Sequence, residues 1–132
     1  MSKRYVPPPW FVAKIMNPVV MALGLSGATT LAVKGRSSGL WRTVPVNVIK
    51  HAGDRYLVAP RGNTHWARNL QAAGGGELRS RRGAEAFKAV EVPVAERPPI
   101  LDSYRRAVTV TEGIFAELPD PADHPTFRIV SS

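Results

Sequence analysis

The 132-residue chain is long enough for one domain with a real core, and its 44% hydrophobic and 21% charged content is ordinary for a globular protein. It has no cysteine, which excludes a disulfide framework and a thiolate zinc site and fits a reducing cytoplasm. A net charge of +8 favours anionic partners: nucleic acid, an acidic membrane surface or an acidic small molecule.

The chain opens with Lys3, Arg4 and a run of prolines, then an apolar stretch from Trp10 to Leu25 interrupted by Lys14, Asn17 and Pro18. This is too short and too broken to span a bilayer, and it is expected to be retained rather than cleaved. Residues 1–28 are read as an apolar helical extension: a helix from about Trp10 to Asn17, then a second with Asn17 as cap and Pro18 in its first turn. Their simplest task is to cover an open end of the core. A lid over a ligand and a peripheral membrane anchor are the functional alternatives.

Thr29 to Lys34 is short and β-branched, a strand. Trp41 to Lys50 alternates, with Val44, Val46 and Val48 on one face and Thr43, Pro45 and Asn47 on the other. Pro45 cannot donate to a ladder, so this strand is an edge or is bulged there. His51 to Asp54 is a hairpin turn, and Arg55 to Pro60 returns. Thr64 can cap a helix running to about Ala73 and ended by Gly74, Gly75 and Gly76. Glu77 to Arg82 and Ala86 to Val94 read as strands, Pro98-Pro99 starts a helix through Tyr104, Val108 to Leu118 is irregular with a short helix, and Thr126 to Val130 is a last strand. About six strands with few βαβ alternations imply a mainly β (α+β) domain over residues 1–132, an antiparallel β-barrel with N-terminal and peripheral helices.

Two loops stand out chemically. Lys34 to Pro45 gathers cations, hydroxyls and glycines into a tight turn between apolar strands, and Arg61-Gly62-Asn63-Thr64-His65-Trp66 repeats that character. Glycines let backbone N–H groups crowd together and guanidiniums hold oxyanions in pairs, so both loops suit a phosphate or carboxylate. No catalytic constellation accompanies them. His51, His65 and His124 form no metal-ligand spacing, and Ser37 and Ser38 lie in no nucleophile elbow. An enzyme without its own nucleophile leaves the chemistry to a cofactor, which the protein binds and orients.

Gly35-Arg36-Ser37-Ser38-Gly39, Arg42-Thr43-Val44-Pro45, Arg61-Gly62-Asn63 and His65-Trp66-Ala67-Arg68-Asn69-Leu70, with the tail segments Glu96 to Leu101 and Asp123 to Ile129, together resemble the deazaflavin-dependent nitroreductase family of actinobacteria. That resemblance runs from about Thr29 to the end. It implies a split β-barrel that uses the deazaflavin coenzyme F-420, rather than FMN, to reduce a small-molecule acceptor such as a quinone, an enone or a nitro compound. It further implies that Arg36, Ser37 and Ser38 hold the phosphate and the start of the oligoglutamate tail, and that Arg42 and Thr43 line the phosphate and ribityl chain. Pro45 would line the ring. Pro60, Arg61, Gly62 and Asn63 would form the second loop, and Trp66 and Asn69 would contact the cofactor from the adjoining helix. Where nitroimidazole-active members often carry a serine this chain has Pro60, where some members carry a tyrosine it has Asn47, and of the substrate-facing tyrosines of the N-terminal helices it retains only Tyr5. These departures bear on the acceptor, nitro compounds above all, more than on the cofactor.

Plainer readings stand beside these. Trp66 can be core, Asn69 can tether helix to loop, Tyr104 can be helix packing, and His65 can be a first-turn residue or a proton donor. Arg79, Arg81 and Arg82 can be an exposed strand face or a seat for distal glutamates. The other functional class is a non-catalytic carrier of F-420, a fatty acid or another ligand. Nucleic-acid binding rests on charge alone, and few aromatics interleave with the basic runs.

Overall fold

The computed structural model describes residues 29–132 except Arg82, so the segment expected to form N-terminal helices, with Tyr5, lies outside the described residues. Strands β1 (Thr29–Lys34), β2 (Trp41–Val46), β3 (Ile49–His51), β4 (Asp54–Val58), β5 (Gly75–Ser80), β6 (Gly83–Glu91) and β7 (Thr126–Ser131) form one seven-stranded sheet. Its order is β2-β1-β5-β6-β7-β4-β3, every neighbouring pair is antiparallel, and it curls into a half-barrel. Helix α1 (His65–Ala73) links β4 to β5, while α2 (Pro98–Ala107) and the short α3 (Glu112–Glu117) lie between β6 and β7.

The extra strand relative to the sequence expectation comes from the segment Trp41 to Lys50. It is not continuous: β2 pairs with β1, β3 pairs with β4, and Asn47 and Val48 between them belong to neither ladder. The two strands occupy opposite ends of the sheet, so the chain crosses the seam of the half-barrel at this corner. Pro45 accordingly sits on an edge strand, where its missing N–H costs least. The β3–β4 hairpin turns at Ala52 and Gly53, which have φ of 51° and 88°, the left-handed pair that matches strand twist.

The glycine run after α1 divides its labour. Gly74, with φ 74°, ends the helix and donates its N–H to Leu70 O at 2.8 Å. Gly75 and Gly76 were expected to be part of the same stop, but they open β5. A Cβ on Gly75 would run into Phe87 O of β6, and one on Gly76 would lie 2.5 Å from Ala32 O of β1. The constraint is close approach of neighbouring strands, which no local propensity encodes.

Side chains alternate across β4. Leu57 enters an inner core with Leu31, Val33, Val46, Leu70, Phe87, Phe127 and Ile129. Tyr56 and Val58 face a second cluster, built with Ile49, Ile100, Leu101, Tyr104 and Phe115 under α2 and α3. Polar struts tie this second layer down. His51 Nδ1 lies 2.7 Å from Ser103 Oγ on α2. Buried Arg97 donates from Nε to Val92 O at 2.9 Å and from Nη1 to Pro121 O at 3.1 Å, and pairs with Glu91 at 3.2 Å. Burial holds its pKa below the usual arginine value, with Glu91 opposing that shift.

Gly76→Ala is expected to lower stability by about 1–3 kcal/mol through overpacking against backbone. Gly113→Ala, on α3 with open space at its Cβ, is expected to be neutral or slightly stabilising. Urea melts of both variants check the contrast, and equal midpoints would refute the close-approach account.

Candidate cofactor-binding cleft

A cleft of about 820 Å³ opens where β1, β2, the start of α1 and the segment after α2 converge. Its first wall is the β1–β2 loop, closed by Gly35 N–H to Leu40 O at 2.8 Å and Gly39 N–H to Gly35 O at 2.9 Å. Ser38 Oγ accepts the Leu40 N–H at 3.1 Å, which leaves its own proton available to a ligand. Gly35 is needed for this turn, because a Cβ there would sit 2.9 Å from Ser38 Oγ.

Asn69 on α1 fixes the loop. Its buried Oδ1 accepts from the Arg36 backbone N–H at 3.1 Å and from Arg36 Nη1 at 2.7 Å. Arg36 Nη2 faces His65 Nδ1 at 3.3 Å, and since a guanidinium can only donate, that nitrogen is the acceptor and carries no proton. Both partners are neutral, so Arg36 keeps its charge for the cleft. Among the described residues no carboxylate lines the cleft and none pairs with Arg36 or Arg42.

The start of α1 forms a second wall. Thr64 takes the N-cap position, yet its hydroxyl makes no capping bond. That oxygen is buried without a partner, in a residue that lines the cleft. The helix N-terminus behind it adds partial positive charge. Trp66 packs against the inner core, 6.3 Å from Phe127 ring to ring, and also lines the cleft. The preceding loop is braced from below. Ala59 N–H donates to Pro125 O at 2.9 Å, and fully buried His124 has its Nδ1 3.3 Å from Ala59 O and its Nε2 against Leu118 O. His124 thus serves as a strut.

Of the residues singled out in the sequence, Arg36, Ser37, Ser38, Arg42, Thr43, Pro45, Pro60, Arg61, Trp66 and Asn69 line this cleft. Gly62 and Asn63 do not. Gly62 is buried behind the loop, where φ of 106° makes it a turn residue, and Asn63 Oδ1 is buried without a partner. Arg79 is pinned by Glu77 at 3.0 Å and lies over the Trp41 ring at 5.3 Å, on the sheet surface. Arg82 of the same cluster lies outside the described residues.

The sequence reading missed one side of the cleft. Tyr104, Val108, Val110 and Thr111 line it from α2 and the turn that follows. Tyr104 is 3% exposed, and burial pushes its pKa up to about 12, against smaller opposing effects of the Asn47 side chain and the charge of Arg61. The only local hint was a tyrosine on the apolar face of an amphipathic helix, which usually means packing. No group of His, Asp and Glu capable of holding a metal occurs among the described residues, and no helix there is long and apolar enough to cross a membrane.

Fold and site define a split half-barrel with an anion-seeking cleft. The F420H(2)-dependent quinone reductase family model matches residues 10–113, and the chain belongs to that family. Coenzyme F-420 is the cofactor that membership implies. Among solved structures the fold is similar to an F420-H2 dependent reductase, FDR-A, at 22% identity and TM-score 0.54, covering 78% of this chain and 93% of the other. It is also similar to a domain-swapped dimer at 19% identity and TM-score 0.55, covering 92% and 99%. A nimc/nima family protein from Clostridium acetobutylicum matches at 14% identity and TM-score 0.55, covering 88% and 85%. No curated protein sequence matches the chain.

The residues present fit the phosphate and carboxylates of the coenzyme: an orphaned hydroxyl, the guanidiniums of Arg36 and Arg42 with no carboxylate paired to them among the described residues, and a loop closed around a glycine. Asn69→Ala is expected to free the β1–β2 loop. Amide exchange at Arg36 should accelerate at least tenfold, and stability should fall by about 1–3 kcal/mol. Exchange at wild-type rate would show that the carboxamide does not hold the loop.

Proposed function

We propose that the protein is an F-420-dependent reductase whose acceptor is a quinone or a similar planar electrophile. The observation that carries this reading is the cleft's composition. Arg36, Arg42, Ser37 and Ser38 supply donors on one side, and Val33, Val44, Val46 and Val58 supply apolar surface beside them. Anionic groups of the coenzyme suit the first set and a flat ring suits the second. In this reading Thr64 and Arg61 add donors from the facing wall, Thr43 follows the ribityl chain, and Pro45 and Trp66 flank the ring. Pro60 offers neither hydroxyl nor N–H, so it contributes shape alone. Gly62 and Asn63 act indirectly, by setting the turn that presents Arg61.

Bound reduced F-420 supplies a hydride to the acceptor. The chain's own contribution is to hold donor and acceptor face to face in a cleft that excludes water. Its neutral Asn69 and His65 orient Arg36 without quenching its charge, so the anion site is organised before the coenzyme arrives. Small-molecule turnover in the cytoplasm belongs to the same proposal.

Fluorescence titration with F-420 tests it. Wild-type binding should weaken as salt rises, and Arg36→Ala and Arg42→Ala should each bind roughly tenfold or more weakly. Equal affinity in all three proteins would refute the anion-site assignment. Enzyme-dependent reoxidation of reduced F-420 by menadione is expected, and its absence beside tight binding would make the protein a carrier.

A further inference from the structure

Arg42 and Asn47 mark opposite ends of β2, separated by roughly 15 Å of extended chain. Arg42 belongs to the cationic end of the cleft. At the other, Asn47 and Tyr104 both line the cleft, and Val46, Val108 and Val110 make the surroundings mainly apolar. Coenzyme anions held at the first end leave the second for the reacting partner, a division that rests on the F-420 reading above.

We propose that the Tyr104 hydroxyl, backed by Asn47, is the hydrogen-bond donor that seats the neutral oxo group of a quinone or enone acceptor at this end of the cleft. Three observations support the assignment. Tyr104 is almost wholly buried yet lines the cleft, and its ring is held 6.2 Å from that of Phe115. Asn47 lines the same end of the cleft, so a side-chain amide stands on the same wall as the phenol where a ligand would reach both. The phenol keeps that proton across the physiological range, because burial outweighs Asn47 and Arg61 in setting its ionisation. In apolar surroundings a single neutral donor discriminates strongly in favour of a ligand carrying a matching oxygen, since a ligand without one leaves the hydroxyl unpaired.

The corner at Asn47 is what makes this placement possible. Because the chain leaves β2 there without entering β3, the Asn47 side chain is free of the ladder alternation that governs Thr43 to Val46. Asn47 is therefore a positioning residue, and Tyr104 is the residue that touches the acceptor.

Equilibrium dialysis of the protein without coenzyme against 1,4-naphthoquinone and against naphthalene tests the assignment. Wild type should prefer the quinone. Tyr104→Phe should lose roughly tenfold in quinone affinity while naphthalene affinity stays within about twofold, and Asn47→Ala should show a smaller loss of the same selectivity. Unchanged quinone affinity, or equal weakening of both ligands, would overturn the proposal and return Tyr104 to a packing role. Titration with F-420 separates this from the cofactor reading. Tyr104→Phe should bind F-420 as wild type does, which also certifies its fold. A wild type that refuses F-420 but still discriminates the quinone would sink the cofactor assignment and leave Tyr104 standing.

Discussion

One buried carboxamide holds the cleft together. Asn69 Oδ1 accepts two protons from Arg36, one from the backbone and one from the guanidinium, across a separation of 33 residues. The first fixes where the β1–β2 loop lies, and the second fixes where its charge points. A glutamine would overreach this geometry, and an aspartate would fix the loop while neutralising the arginine. A neutral acceptor of this length is the side chain that can organise a cation and still leave it unspent. The same economy appears at His65, whose unprotonated Nδ1 faces the guanidinium.

The rest of the fold serves to bring that loop, the start of α1 and the segment after α2 to one place. Gly75 and Gly76 let β5 press against β6 and β1, which brings α1 down onto the mouth of the half-barrel. His124 and Pro125 at the head of β7 brace Ala59, and Arg97 gathers the ends of β6 and the turn at Pro121. Each is a polar contact within an apolar layer, so each specifies position where hydrophobic burial alone would allow sliding.

Much of this was legible in the sequence where the determinants are local. The β-branched run at Thr29, the turn at Ala52-Gly53, the helix ended by Gly74 and the proline start of α2 all lie where their residues put them. The split-barrel class and F-420 were reached through a resemblance, and family membership bears both out. The misses share a cause. Alternation runs unbroken through Asn47, so nothing local announces the corner. Gly75 and Gly76 look like helix stops because the strands that crowd them are remote in sequence. Thr64 looks like a cap, but its hydroxyl makes no capping bond. Tyr104 reads as packing because the cleft it lines exists only once the sheet has curled.

Residues 36, 61 and 104 meet only in the finished half-barrel, and α1, which carries the restraint on Arg36, is itself seated by strands on either side. Partly assembled chains therefore offer no fragment of the pocket worth occupying. A molecule that fills it acts as a clasp on completed protein, slowing unfolding and shielding it from proteases in proportion to occupancy. Cellular supply of the coenzyme would then set how long each copy survives as well as how fast it turns over.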